Sequence, residues 1–556
     1  MKKAVGLLLC IGLLGCEQQN NDVSEVQAAP KKVSNSIPQF NEATAKQNLV
    51  FIKDQYLKMI DHVDNNEHLH FANGCTESDM VCFPRAEEHG VIFMEKAKKW
   101  TNGFYPGLLW KLLSANQQID GFTPAEQEKV FNKAKHYQMA LMPETLRGST
   151  HDLGFILYDS FGEALNYDGL SAADRALYQQ ALATGRDTLA TRFSTDHGLI
   201  ESWDWVPSLP VHYLENGKVI REEKALAEPF TFPVIVDNMM NLEYMLSSKK
   251  PAHHEIALSH AKQTYLNHYF YTADDVNKEF PIAYHLYDYD TKLPGNWQGV
   301  GNISAWARGQ GWSLYGFVTV VEALKLNSSD NSSYMSLPDF EQHIDKSINS
   351  IVKLLDGEVI PYWDYFATLP NAAEIAADQD PATVRYSRIL DLCDIEISDQ
   401  ILPYVGYAPI KIAKDILAEE TLAELATMTS AYNEPFIQGD YVFPCGSAPY
   451  KTKATHIPRD TSAAALYASA LYRLAEFTEA GPLRDKAVTL ADKIMLELTE
   501  NYLTSKNKAK DYQLGFVLAE ATGNLPNASE INTSIVYADF YFLEANMRKL
   551  ALAKKK

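Results

Sequence analysis

From Asn41 to Leu550 the apolar residues recur at three- and four-residue intervals, in run after run, with short polar connections between the runs. Such spacing lays the apolar side chains along one face of a helix, so the chain must fold by burying helix faces against one another. Thr123, Pro124 and Glu126 open one run as cap, first-turn proline and capping-box glutamate, and Ser171 and Asp174 open the next. Further amphipathic runs fall at 238–248, 251–271, 304–325, 338–355, 411–430, 461–477, 482–502 and 531–550. The pattern predicts an all-α chain of about a dozen helices, with antiparallel neighbours because the connections are short, and little strand. No fixed repeat marks a solenoid. With 46% hydrophobic and 22% charged residues, the 556-residue chain has the composition of a globular protein with a large core.

The first residues carry a different message. Lys2 and Lys3 precede an apolar run, Ala4 to Leu14, that is too short to span a bilayer and predicts a secretory signal. The run ends in Leu-Leu-Gly-Cys, similar to the lipobox of bacterial lipoproteins. Residues 1–15 are then a lipoprotein signal peptide, Cys16 carries the lipid, 16–40 is a polar flexible tether and 41–550 is a single domain. An ordinary signal peptide with an incidental cysteine is the alternative. The expected location is the bacterial cell envelope, facing periplasm or cell surface, with the N-terminal lipid as the only membrane contact. Cys75, Cys82, Cys393 and Cys445 remain, an even number in an oxidising setting. The most local pairing is Cys75–Cys82 with Cys393–Cys445.

Fifty basic against 71 acidic residues give a net charge of −21, which argues against a nucleic-acid partner. No close CxxC has clustered histidines and no acidic run has calcium-ligand spacing, so neither metal nor cofactor is expected.

The chemistry sits in the connections. Segments 99–112, 149–155, 199–205, 284–290 and 296–312 are rich in Trp, Tyr, Asp, His, Gly and Arg. Rings interspersed with polar groups suit sugars, which have apolar C–H faces and many hydroxyls. Asp237 stands out, placed between Val-Ile-Val and Asn-Met-Met where core residues belong. It is either a helix cap or an acid held protonated by an apolar setting.

These stretches together resemble the unsaturated glucuronyl hydrolases, glycoside hydrolase family 88. The resemblance is carried by "WTNGFYPGLLW", "HDLGF", "ESWD", "PVIVDNMMNLEYM", "SAWARGQGWSLYGF", "PYWDY", "RDTSAAALYASAL" and "SIVYADFYFLEA", in the family's order. It implies an (α/α)6 barrel that removes a 4,5-unsaturated glucuronic acid from the non-reducing end of oligosaccharides released by polysaccharide lyases. It also implies that Asp237 is the proton donor and Asp152 the second carboxylate. Trp306, Arg308 and Trp312 match sugar-contacting positions, with Arg308 the candidate partner for a substrate carboxylate or sulfate and a structural ion pair with a neighbouring helix the alternative. Gln298 and His285 fit hydroxyl- or carboxylate-binding positions; Trp100 and Trp203 are walls or stacking platforms, and Tyr541 is a weaker candidate. Residues 371–456 look inserted late in the barrel, between "PYWDY" and "RDTSAAA". The related unsaturated rhamnogalacturonyl hydrolases, and a non-catalytic glycan-binding surface lipoprotein, are the alternatives. The polysaccharide of origin is open among sulfated ulvan, chondroitin, heparin, gellan and xanthan.

Overall fold

The computed structural model describes residues 40–554, apart from 205–210, 223–229, 328–333, 507–513, most of 369–456 and some shorter breaks. The signal peptide, Cys16, the tether, Cys393 and Cys445 therefore lie outside the described residues, as does most of the 371–456 insertion.

Among the described residues, twelve helices, numbered here in chain order, alternate between an outer and an inner ring. The outer six are α1 (Glu42–Asp64), α3 (Pro124–Ala140), α5 (Ala172–Ala190), α7 (Pro251–Asn267), α9 (Leu337–Leu355) and α11 (Pro482–Glu497). The inner six are α2 (Phe104–Ala115), α4 (Gly154–Gly162), α6 (Asn241–Leu246), α8 (Ala307–Asn327), α10 (Thr461–Phe477) and α12 (Val536–Lys554). Contacts run α2 to α4, α4 to α6, α6 to α8, α8 to α10, α10 to α12 and α12 back to α2, so the inner ring closes. Each outer helix packs on an inner one. This is the (α/α)6 barrel.

The local signals act as read. Thr123 and Glu126 form the reciprocal capping box of α3, and Ser171 caps α5 by accepting from the Asp174 N–H. The amphipathic pattern fits the outer ring, whose helices keep one wet face. The inner helices are buried nearly all round: every residue of α10 from Thr461 to Ala475 is buried.

Helix α4 is wound as a π-helix. Gly103 and Gly107 let α2 come so close that a Cβ at either would lie 1.8 Å from the Phe155 or Asp159 carbonyl oxygen. The ring is further tied by buried ions. Lys111 pairs with Glu163 and Glu544, and Arg473 pairs with Glu243 and Glu322, joining elements that are far apart in sequence. Breaking such a pair leaves a buried charge uncompensated, so the network specifies how the helices are arranged.

Sheet is scarce, as expected: Leu69–Phe71, Val91–Lys96, Cys82–Glu88 and Ser534–Ile535 form a four-stranded sheet, and Pro233–Ile235, Leu286–Asp288 and Leu293–Gly295 a three-stranded one. These strands are two to seven residues long, too short for a period-two pattern to emerge. One expectation needs correction: the run at 411–430 begins as strand, with Ile412 and Ala413 paired to Val442 and Tyr441. Cys75 and Cys82 form a disulfide at the start of the strand Cys82–Glu88.

Candidate active site

The inner helices present their N-terminal ends to one place. Trp100 precedes α2, Asp152 precedes α4 and Asp237 precedes α6, while Arg308, Asp460 and Tyr537 lie at the starts of α8, α10 and α12. The partial positive charge of helix N-termini favours an anionic ligand there.

Strand pairing delivers Asp237. Leu286 pairs with Ile235, and one step on, the Val236 N–H donates to the His285 carbonyl at 2.9 Å. The chain then turns through a 3-10 segment, Val236–Met240, with Asp237 in its first turn. Val236, Met239 and Met240 are buried around it, and Asp237 itself is 5% exposed. Ile235 holds the cap position of this turn, with no side-chain hydrogen bond, and Asp237 Oδ2 has no hydrogen-bond partner among the described residues. Burial pushes its carboxyl up to about 7, helped by the nearby charge of Asp152 and opposed by Arg308. Burial wins because taking a carboxylate out of water costs more than one cation at this distance returns. The His285 Nε2 is 3.8 Å from Oδ2. Its Nδ1 accepts the Gln298 backbone N–H at 3.0 Å, which puts the ring proton on Nε2, facing Asp237.

Asp152 is more open. It accepts a 2.5 Å hydrogen bond from the Thr150 hydroxyl and lies 3.3 Å from His151 Nε2. His151 is fully buried, and burial holds it below the usual histidine range. Trp203 stands edge-on to His151, with ring centroids 5.6 Å apart, and packs against Phe230, Ile235 and Leu286.

The aromatic candidates pack against one another or against the histidines of the site. Trp100 packs on Phe155 and Tyr537, and Phe155 on Trp312. Trp306 packs on His285. Trp100 and Trp203 are partly exposed and supply the open faces. Trp306, Trp312 and Tyr541 are at most 1% exposed, so in this structure they back the site rather than offer a platform.

Arg308 differs from the expectation of a free oxyanion grip. Its side chain is fully buried. Nη1 donates to Asp460 Oδ2 at 2.6 Å, to Ser462 Oγ at 3.2 Å and to the Thr522 carbonyl at 2.8 Å, and Nη2 donates to the Gly523 carbonyl. The guanidinium lies over the Trp306 and Tyr537 rings, 4.7 and 5.2 Å from their centroids. Its fork is spent on fixing the loop at 522–523 to α8 and α10. Gln298 joins the same loop, donating from Nε2 to the Gly523 carbonyl at 3.0 Å.

A curated protein from Formosa agariphila, named unsaturated glucuronyl hydrolase, is 28% identical over 485 residues, covering 85% of this chain and 86% of that protein. This chain is a homologue of the unsaturated glucuronyl hydrolases. A crystal structure of an unsaturated glucuronyl hydrolase described as specific for heparin matches it with a TM-score of 0.58 at 24% identity, over 92% of this chain and 99% of that one. A Streptococcus agalactiae protein named unsaturated chondroitin disaccharide hydrolase is 24% identical over 280 residues, 49% of this chain and 58% of that protein. No protein-family model matches.

Several residues at the site carry little signal of their own in the sequence. Asp460 was not singled out although it anchors Arg308, and His151, Ser202, Asn238 and Asn241 were read only as parts of motifs. Their sole signal is polarity inside apolar stretches, such as the two asparagines in "VDNMMNL". Among the described residues no group of His, Cys, Asp and Glu is arranged to hold a metal ion.

Proposed function

We propose that this protein hydrolyses the 4,5-unsaturated glucuronic acid at the non-reducing end of lyase-generated oligosaccharides, of glycosaminoglycan type. The observation that carries the reading is Asp237: buried, without a partner on Oδ2, and protonated up to about pH 7. A carboxylic acid in that state is a proton donor at neutral pH. The substrate ring contains a vinyl ether, C4=C5–O5. Asp237 gives its proton to C4, and positive charge develops at C5, shared with the ring oxygen. The negative charge of Asp152 stabilises it. The Asp237 carboxylate then takes a proton from a water as its oxygen bonds C5. The resulting hemiketal opens, and the aglycone leaves from C1. The helix N-termini and Nε2–H of His285 favour the substrate carboxylate. Glycosaminoglycan substrates are supported by the relatives named for chondroitin disaccharides and heparin. Ulvan and other sulfated fragments belong to the same chemical class, and the inserted 371–456 segment is where a finer preference would reside.

Incubation with a panel of lyase products tests this through loss of the ultraviolet absorbance of the conjugated double bond. Decay on glucuronyl-terminated fragments is expected. Decay on rhamnogalacturonan fragments alone favours the rhamnogalacturonyl reading, and binding without decay on any fragment favours a glycan-binding protein.

The raised carboxyl makes a pH prediction. The donor must be protonated, so kcat/KM is expected to fall about tenfold per unit above about pH 7. A limb that begins below pH 5 would contradict the assignment.

We further propose that Cys16 carries lipid and holds the enzyme at the cell envelope. Cys16→Ser is expected to move the protein from the detergent to the aqueous phase without changing kcat. A wild-type protein that already partitions into water would contradict the lipobox reading.

A further inference from the structure

Two fully buried side-chain amides join the turns that carry the two carboxyl groups. Asn238 and Asn241 are 0% and 2% exposed. The Gly154 N–H donates to Asn241 Oδ1 at 2.9 Å; Asn241 Nδ2 donates to Asn238 Oδ1 at 2.7 Å; Asn238 Nδ2 donates to the Ile200 carbonyl at 2.6 Å. Gly154 lies two residues after Asp152, and Asn238 directly follows Asp237.

The first-turn N–H groups of a helix have no partner within it. The residue in the cap position of α4, Leu153, provides no side-chain hydrogen bond. Asn241, from a different inner helix, supplies the acceptor instead. The approach is close enough to require glycine: a Cβ on Gly154 would lie 2.5 Å from Asn241 Oδ1. Ser202 adds a second tie. Its carbonyl accepts the His151 N–H at 3.1 Å and its hydroxyl accepts the Ile235 N–H at 3.0 Å.

We propose that Asn238 and Asn241 are positioning residues, a clamp that sets the separation of Asp152 and Asp237. The inference rests on reading those two carboxyls as the catalytic pair. A structural amide lowers stability when removed and leaves chemistry alone; a clamp does more. Small misplacements of reacting groups cost rate, on the order of 100-fold for 1 Å.

The test uses Asn241→Leu, which keeps the branching and loses both hydrogen bonds, and Gly154→Ala, which pushes on the clamp from the other side. Asn48→Leu is the control. Asn48 is also buried and hydrogen-bonded, to Thr499 at 2.8 Å and Asn546 at 3.0 Å, with no link to either carboxyl. Assayed at temperatures where each protein is fully folded, Asn241→Leu and Gly154→Ala are expected to lose about 10- to 100-fold in kcat with KM little changed. The alkaline limb of kcat/KM should also shift, because the Asp152 charge bears on the Asp237 proton. Asn48→Leu should lose stability and keep the wild-type kcat and limb. If Asn241→Leu does not fold, Gly154→Ala decides. Wild-type kcat and limb in the clamp variants, or an equal loss in Asn48→Leu, overturn the clamp. Asp237→Asn, run alongside, separates the two readings: activity in that variant overturns the catalytic assignment itself, whereas an inactive Asp237→Asn beside fully active clamp variants overturns only the clamp.

Discussion

Asp237→Asn is expected to lower kcat by roughly 100- to 10,000-fold, towards the upper end because one residue both gives the proton and activates the water. The substitution keeps the size of the side chain and removes the titrating proton. It sacrifices no hydrogen bond at Oδ2, which has no partner among the described residues. Folding should therefore survive, and the sign of the linkage says more. The folded-state pKa, about 7, lies above that of an unfolded aspartate, about 4. The folded protein thus binds more protons between those values, and the Asp237 contribution to stability declines as pH rises through that window. An asparagine there carries no such loss, so at pH 7 and above the variant should melt no lower than the wild type. Near-wild-type turnover, or a collapse in melting temperature that accounts for the lost activity, would contradict the role.

The second large effect concerns Arg308. Asp460→Ala leaves its guanidinium buried over two rings without its carboxylate. Removing one partner of a buried pair costs about 3–5 kcal/mol. Denaturant unfolding should show a loss of that size, together with reduced activity, since the same cation holds the Gly523 carbonyl that Gln298 also grips. Arg308→Lys should behave similarly though more mildly, because an ammonium cannot reproduce the planar fork. A change in Asp460→Ala below about 1 kcal/mol, the range of exposed pairs, would show that the pair does not hold the site together.

Much of the fold was legible because helix periodicity survives in sequence. The outer helices announce themselves through caps, as at Thr123 and Ser171. The barrel was another matter: amphipathic runs give the number of helices but not that α12 returns to α2, and that closure came through family resemblance. The short strands were illegible, and with them the device that places Asp237, since Leu286 pairs with Ile235 across about fifty residues of chain. Asp237 itself was conspicuous because a carboxylate in an apolar stretch needs a reason. The partner of Arg308 was illegible because sequence shows a guanidinium and not what occupies it; Asp460 lies 152 positions away. Asn238 and Asn241 stayed hidden because an amide in a helical run looks like any buried polar residue until its partners are known.

The central claim is that water adds to C5 of the unsaturated sugar and not to its anomeric carbon. Turnover in heavy-oxygen water, read by mass spectrometry of the products at early times, tests it most directly. Label is expected on the released keto-acid at the former C5, with the anomeric oxygen of the other product unlabelled at first. Label on the anomeric carbon from the start would mean ordinary glycoside hydrolysis and would contradict the account.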